Sequence, residues 1–168
     1  MNIKLEELSF RDSRKLLTKF QQLEKSYGAD WYDTEEEGAD YIWLIKNLDD
    51  PLGFLSYKLL RLSNQMGFVY IVKIYVLKAY RGRNPILIDE ERVSEVLLRT
   101  MESKGFNILT LESACDKLDR RYKELGFEYI EDLSREFGSV LDTSEKIFYK
   151  RINIEDEMID RIINGSLL

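Results

Sequence analysis

The chain of 168 residues has no histidine, a single cysteine and only two prolines. The absence of histidine excludes catalysis by Ser-His-Asp or Cys-His groups, histidine-ligated zinc and histidine-ligated haem. A single cysteine excludes an intrachain disulfide and any metal site built from several cysteines. A general base must therefore be a carboxylate, a tyrosine or a water molecule that they hold.

Basic residues are also in the minority, with 25 Lys and Arg against 31 Asp and Glu and a net charge of −6. This balance argues against a nucleic-acid partner, because neutralising phosphates needs a basic face. It is compatible with a cationic small substrate. No apolar run reaches membrane-spanning length and the first residues do not form a signal peptide. We therefore expect a cytoplasmic protein with no membrane partner.

Length and composition predict one domain. With 44% apolar and 33% charged residues, the chain is ordinary for a globular protein. A chain of this size buries roughly 70% of its unfolded surface. We expect a single domain over residues 1–168, with a strand-helix-hairpin portion over 1–66, a central portion over 67–152 and a C-terminal helix over 153–168.

The most informative stretch follows Gly67. Phe68–Leu77 is apolar except for Lys73, which predicts a strand buried on both faces. A basic turn follows, and then Asp89–Lys104 has apolar residues at helical spacing. A strand, a basic turn and a helix in that order can bind phosphate, because the turn presents N–H groups and the helix start carries a positive dipole end.

The remaining elements follow from the same periodicities. Further strands are predicted at Ile3–Phe10, Tyr41–Leu48, Leu52–Leu62, Phe106–Glu112, Phe127–Asp132 and Lys146–Ile152. Helices are predicted after Arg11, at Lys117–Leu125 and at Ile154–Ile163. The segment Arg135–Ser144 is predicted as a loop or hairpin tip. The strand-helix-strand order in the middle implies one parallel pair. The predicted fold is α+β, with a mixed, mostly antiparallel central sheet flanked by helices.

Two segments resemble the GCN5-related N-acetyltransferase (GNAT) superfamily. Ile74-Tyr75-Val76 matches the apolar-aromatic-valine triplet that ends the family's acyl-CoA strand, and Tyr80-Arg81-Gly82-Arg83 matches its phosphate turn. Arg121-Tyr122-Lys123-Glu124-Leu125-Gly126-Phe127 matches a downstream family segment. The two matches occur in the family's order, and the resemblance covers roughly Leu52 to Phe148.

The resemblance implies an acetyl-CoA cosubstrate, no metal, and transfer of acetyl to a small amine or a protein amine by direct attack. The portion over 67–152 would bind acyl-CoA in a cleft between splayed strands. Backbone groups of Ile74, Tyr75 and Val76 would polarise the thioester carbonyl. Tyr122 would protonate the departing thiolate; its alternative role is core packing beside Leu118 and Leu125.

The phosphate turn departs from the family pattern. Arg81, Gly82 and Arg83 would hold the pyrophosphate, but Asn84 and Ile86 stand where the family has its later glycines. Pro85 between them lacks an N–H donor.

The predicted helix start, Asp89-Glu90-Glu91, would also repel an anion. The phosphate site is then either rearranged, with Arg81, Arg83 and Arg92 compensating, or lost.

The position of the general base is a second departure from the family pattern. Family members often carry a carboxylate on the strand before the turn, where this chain has Val72 and Lys73. Glu112 at the end of the next strand is the candidate base, with Asp33 and Glu35 as alternatives.

Four further positions concern binding. Cys115 stands where the family commonly has an asparagine that contacts the CoA arm; its alternatives are a covalent acyl carrier or a small buried hydrophobe. Trp31, Tyr32 and Asp33 lie where the family builds its acceptor pocket, and aromatics beside carboxylates suit a cation. The alternative there is a solvated acidic loop.

Two functions stay open at this point. One is an active N-acetyltransferase; the other is a non-catalytic protein of the same fold that binds a ligand or partner through its cleft or its C-terminal helix. That helix either covers the sheet or pairs with a second subunit in a homodimer.

Overall fold

The computed structural model describes residues 1–9 and 39–163. One sheet of six strands in the order β1-β2-β3-β4-β5-β6 runs through this part of the chain. The strands are β1 Ile3–Ser9, β2 Tyr41–Asn47, β3 Asp50–Arg61, β4 Gly67–Val76, β5 Ile108–Ser113 and β6 Lys146–Arg151. The pairs β1–β2, β2–β3 and β5–β6 are antiparallel, whereas β4 and β5 are parallel. The predicted mixed α+β fold is confirmed.

The helices of the described residues lie after β4. A 3-10 turn, Lys78–Tyr80, precedes α1 Val93–Glu102, and α2 Asp116–Glu124, α3 Glu131–Leu141 and α4 Asp156–Ile163 follow. In residues 1–9 and 39–163, no helix has the length and apolar character needed to cross a membrane. The C-terminal helix α4 contacts α3 and buries Ile159 and Ile162, and its pairing with a second subunit stays a prediction.

The chain divides into two compact units. The first contains Met1–Lys58 and Val72–Met101, and the second contains Leu59–Ile71 and Glu102–Leu168. Strand β4 contributes its first residues to the second unit and its last residues to the first.

The first unit has an apolar cluster made by side chains that alternate along three strands. Ile42, Leu44, Phe54 and Tyr75 are buried together, with the Phe54 and Tyr75 rings stacked 5.8 Å apart. Because side chains of one strand alternate between faces, these four residues share one face of the sheet. This packing fixes the side chain of Tyr75 at the end of β4.

The second unit is built around β5 and β6. Ile108, Leu109 and Ile147 are fully buried. The Phe137 ring of α3 packs 5.0 Å from Phe68 of β4 and 6.5 Å from Tyr149 of β6. Helix α3 therefore covers the sheet in this unit with a large aromatic side chain.

The predicted strand at Phe127–Asp132 and the loop at Arg135–Ser144 are both wrong. Only Glu128 pairs with β6, through two backbone hydrogen bonds to Tyr149, and the chain then enters α3. Within α3, the buried Ser134 hydroxyl accepts a hydrogen bond of 2.9 Å from the Ile147 N–H. A helix that buries Phe137 and also satisfies the edge of β6 replaces the expected strand.

The predicted start of the central helix at Asp89 is also wrong. Ile88 and Glu91 exchange two backbone hydrogen bonds of 2.9 Å, and Asp89 and Glu90 between them have φ values of 47° and 70°. This is a tight turn rather than a helix start. Helix α1 begins at Val93.

Candidate functional site

The predicted site residues of the described chain fall into two groups, one in each unit. The first unit holds Ile74, Tyr75, Val76, Arg81, Gly82, Arg83 and Asn84. The second unit holds Glu112, Cys115 and Tyr122. The predicted acceptor residues Trp31, Tyr32 and Asp33 lie outside the described residues.

The basic turn of the first unit is held at both ends. Gly82 has a φ of 86°, a conformation that glycine adopts without strain, and a β-carbon at this position would meet no atom within 4 Å. The Arg92 guanidinium donates a hydrogen bond of 3.0 Å to the Gly82 carbonyl. The Arg92 N–H in turn donates 2.9 Å to the Glu95 carboxylate, which caps α1. Arg92 thus ties the turn to the helix start, and Glu95 is the acidic residue of the helix's first turn.

The two arginines of the turn differ in their surroundings. The Arg81 guanidinium lies over the Tyr75 ring, 5.2 Å from its centroid, and is half-buried. Arg83 and Asn84 are exposed. Tyr75 therefore supports Arg81 in a defined position, while the charge of Arg83 is open to an anion in solvent.

The end of β4 is packed through its side chains. Tyr75 and Val76 are buried and Ile74 is half-buried. The following Leu77 N–H donates a hydrogen bond of 2.9 Å to the Leu52 carbonyl of β3. This strand end is a rigid element of the first unit.

Tyr122 lies on α2 in the second unit. Its ring packs edge-on against Phe148 at 5.9 Å and tilted against Phe127 at 6.2 Å. Burial first, and then electrostatic interaction with Cys115, Glu112 and Asp119, raise the pKa of the Tyr122 phenol. Within residues 1–9 and 39–163, no group lies within hydrogen-bond distance of its hydroxyl. Tyr122 is therefore a neutral phenol at physiological pH, and no described residue accepts its proton.

Helix α2 is fixed to the sheet by Asp119. The Ser113 hydroxyl and the Lys146 ammonium, the latter at 3.0 Å, donate to its two carboxylate oxygens. These two hydrogen bonds, that of Ser113 first, lower the pKa of Asp119. The contacts join α2 to the end of β5 and to the start of β6, and so set where Tyr122 lies.

Cys115 stands immediately before α2, as its N-cap residue. Its carbonyl accepts hydrogen bonds from the Ser113 hydroxyl at 3.2 Å and from the Asp119 N–H at 3.1 Å. The thiol is exposed. The alternative of a small buried hydrophobe is therefore wrong, and contact with the CoA arm stays a prediction.

Glu112 is held by two hydroxyls that sequence reasoning missed. Tyr70 donates to one carboxylate oxygen at 3.1 Å and Thr143 to the other at 3.2 Å. Glu112 lies near the end of β5, as predicted, and is half-buried. Tyr70 could have been suspected, since it is a polar aromatic residue two positions before Val72 on the predicted strand. Nothing in the sequence around Thr143 indicated a site.

No protein-family model and no curated protein matches this chain. Solved structures do match in fold. An acetyltransferase of the GNAT family from Staphylococcus aureus aligns with a TM-score of 0.51 and 18% identity, over 89% of this chain and 99% of that one.

The fold of this chain is that of the GCN5-related N-acetyltransferases.

Two other structures with this acetyltransferase fold carry ligands. N-acetylglutamate synthase from Neisseria gonorrhoeae, complexed with coenzyme A and N-acetyl-glutamate, aligns with a TM-score of 0.58 and 12% identity over 89% of this chain. The chain covers 35% of that synthase, about a third of its length. Naa50 from Arabidopsis thaliana, in complex with the bisubstrate analogue CoA-Ac-MVNAL, aligns with a TM-score of 0.52 and 19% identity, over 89% of this chain and 99% of that one.

The predicted resemblance to the GNAT superfamily is thus confirmed for the fold. The roles of the individual residues stay predictions. Across the described residues of this acetyltransferase fold, no group of three or more cysteines and carboxylates is arranged to hold a metal ion.

Proposed function

We propose that the chain is an acyl-CoA-dependent N-acetyltransferase that moves an acetyl group from acetyl-CoA to a primary amine by direct attack. The observation that carries the proposal is Tyr122, a half-buried phenol with a raised pKa and no hydrogen-bond partner among the described residues. Because the phenol is protonated, it can donate its proton to a departing thiolate. The fold supports the proposal, because acetyltransferases bound to coenzyme A share it.

The reaction would proceed in one step from a ternary complex. The amine nitrogen forms a bond to the thioester carbon, and the carbon–sulfur bond breaks. Tyr122 gives its proton to the sulfur as coenzyme A leaves, and Glu112 accepts the proton that the amine loses.

The first unit would bind the pyrophosphate through its basic turn. Arg81 is supported by the Tyr75 ring and Arg83 is exposed, so both guanidinium groups can donate charge-assisted hydrogen bonds. The acidic residues Asp89 and Glu90 belong to a separate turn and do not cap α1. The carboxylate that caps α1 is instead Glu95, which accepts a hydrogen bond from the Arg92 N–H.

The acceptor would be a small amine or a protein amine. One structure of this fold holds N-acetyl-glutamate, an acetylated amine, and another holds the bisubstrate analogue CoA-Ac-MVNAL, which joins coenzyme A to a peptide. These ligands belong to those proteins, and for this chain they define the first compounds to test: amino acids, peptides with a free N terminus, and simple alkylamines.

One observation favours the alternative, a binding protein without catalysis. Ile86 and Leu87, which follow the altered turn, are 46% and 42% exposed. Two neighbouring exposed aliphatic side chains can contact a partner protein. The alternative predicts that coenzyme A does not bind.

Calorimetric titration with acetyl-CoA separates the two functions, with dephospho-CoA and pantetheine as weaker-binding references. Micromolar binding that weakens in Arg81→Ala and Arg83→Ala would support the acetyltransferase. Arg135→Ala, an exposed arginine of α3, serves as the charge control and should bind normally. No binding at millimolar acetyl-CoA would contradict the proposal. If acetyl-CoA binds, release of free thiol is then measured with the amines named above.

A further inference from the structure

Glu112 is half-buried, and the described residues that donate hydrogen bonds to it are both neutral. Its two oxygens accept from the Tyr70 hydroxyl at 3.1 Å and from the Thr143 hydroxyl at 3.2 Å. Across residues 1–9 and 39–163, it forms no ion pair with lysine or arginine. Other carboxylates of the same unit do: Asp119 pairs with Lys146, and Glu102 with Lys150. Among the described residues, no lysine or arginine therefore compensates the negative charge of Glu112.

The hydroxyl of Thr143 is directed toward Glu112 by its own backbone surroundings. Asp142 ends α3 in the left-handed conformation, and the Thr143 N–H then donates 3.0 Å to the Gly138 carbonyl. The Thr143 oxygen also accepts from the Glu145 N–H at 3.2 Å. A threonine hydroxyl has one proton, so that proton is left for Glu112.

The pairing of β4 with β5 fixes the position of Tyr70. It is 8% exposed and pairs with Thr110 in the parallel register of β4 and β5. Glu112 lies two residues beyond Thr110, so both side chains point to the same face of β5. The Tyr70 hydroxyl then reaches the carboxylate from the neighbouring strand.

This arrangement leaves room for one more donor. An ionised carboxylate has about four lone-pair sites, and the two hydroxyls occupy two of them. A partly buried charge is costly unless an opposite charge compensates it. A cationic N–H donor would supply both the missing charge and the missing hydrogen bonds.

We propose that Tyr70 and Thr143 position Glu112 to bind the acceptor as an ammonium ion and then to take its proton. This inference rests on the proposed acetyltransferase function and specifies the acceptor as an amine that is cationic when it arrives. One proton of the ammonium ion moves to a Glu112 oxygen, and the neutral amine then attacks the thioester carbon as the carbon–sulfur bond breaks. Tyr122 protonates the departing sulfur, the second proton lost by the nitrogen returns through water to the Tyr122 phenolate, and Glu112 gives its proton to water. Tyr70 and Thr143 are positioning residues, and Glu112 is the catalytic residue.

The test compares two classes of acceptor at neutral pH. Ethylamine, butylamine and putrescine are cationic there and need a base, whereas methoxyamine is already neutral. With the alkylamines, kcat/KM should fall by roughly 10² to 10⁴ in Glu112→Gln. It should fall roughly tenfold in Tyr70→Phe and in Thr143→Val, where one hydrogen bond to a charged group is lost. With methoxyamine, the three variants should stay close to the unmodified protein.

Two further variants separate positioning from folding. Thr143→Ser retains the hydroxyl and should restore most of the rate that Thr143→Val loses. Tyr57→Phe is the matched control, because Tyr57 also donates to a glutamate, Glu7 at 2.5 Å, in the first unit. It should leave the ratio of alkylamine to methoxyamine rates unchanged.

The outcomes show whether the roles given to Glu112, Tyr70 and Thr143 fail alone or together with the proposed acetyltransferase function. If the unmodified protein is active and Glu112→Gln or Tyr70→Phe slows both acceptor classes equally, or neither, the inference is overturned and the acetyltransferase stands. If the unmodified protein acetylates none of these amines, the proposed function fails and the inference fails with it.

Discussion

Gly53 of β3 lies so close to the carbonyl oxygen of Tyr75 that a β-carbon at residue 53 would stand 2.5 Å from it. The same β-carbon would be 3.2 Å from a methyl group of Val93, the first residue of α1. Gly53 faces Ile45 next to an irregularity in the β2–β3 pairing. The absence of a side chain therefore lets β3, the end of β4 and the start of α1 approach one another in the first unit.

We predict that Gly53→Ala destabilises the protein by about 1 to 3 kcal/mol, because an overpacked site must shift its backbone. The displaced backbone includes Tyr75, so affinity for acetyl-CoA should fall as well. Urea unfolding and calorimetric titration measure the two effects. Gly67→Ala is the control, since its nearest neighbour, the Leu60 carbonyl oxygen, would be 3.9 Å away. Equal stability of the two variants would contradict the prediction.

A second prediction concerns the edge of β6. Ser134→Ala removes the buried acceptor of the Ile147 N–H and should lower the free energy of unfolding by about 1 to 3 kcal/mol. Ser139→Ala, on the exposed side of the same helix, should change it by less than about 0.5 kcal/mol. Urea unfolding followed by circular dichroism gives both values. A Ser134→Ala variant as stable as Ser139→Ala would mean that water satisfies the Ile147 N–H.

This hydrogen bond also explains why part of the fold could not be predicted. Phe127, Tyr129 and Ile130 are typical of a strand, yet only Glu128 pairs with β6. The helical spacing of Leu133 and Phe137 was present in the sequence, but Gly138 made the segment resemble a loop. What decides the helix is packing of Phe137 and a contact between residues 134 and 147, neither of which is a local property.

In the candidate site, too, the residues with a local sequence signal could be predicted and those that depend on distant contacts could not. Tyr122 and Glu112 could be singled out because a local motif and the end of an apolar strand identify them. Tyr70 could not be paired with Glu112, since the pairing depends on the register of two parallel strands that are far apart in sequence. Thr143 depends on how α3 ends, and α3 itself was not predicted.

The ion pair of Asp119 predicts a pH dependence. Its hydrogen bonds to Ser113 and Lys146 lower the pKa of Asp119 from its ordinary value of 3.8. A carboxylate whose pKa is lower in the folded state stabilises the fold above its unfolded pKa, and this contribution is lost as pH falls through the folded value. Tm should therefore fall below about pH 4, and Asp119→Asn should lower Tm at neutral pH and flatten that fall.

Scanning calorimetry between about pH 7 and pH 2 measures this difference. Asp160→Asn is the control, because Asp160 is an exposed carboxylate of α4. It should preserve the acid dependence of the unmodified protein. If Asp119→Asn and Asp160→Asn have parallel curves of Tm against pH, the Asp119 contacts do not contribute to acid stability.

The last prediction tests the proton donor. In Tyr122→Phe the ring contacts to Phe127 and Phe148 are retained and only the hydroxyl is removed, so binding of acetyl-CoA should be nearly unchanged. The hydroxyl acts only as the thiolate departs, and kcat should therefore fall by roughly 10² to 10⁴. Tyr129→Phe is a matched control, because that tyrosine also packs against Phe148, at 5.4 Å, and is 37% exposed. Turnover in Tyr122→Phe equal to that in Tyr129→Phe would mean that the thiolate leaves without a proton from Tyr122.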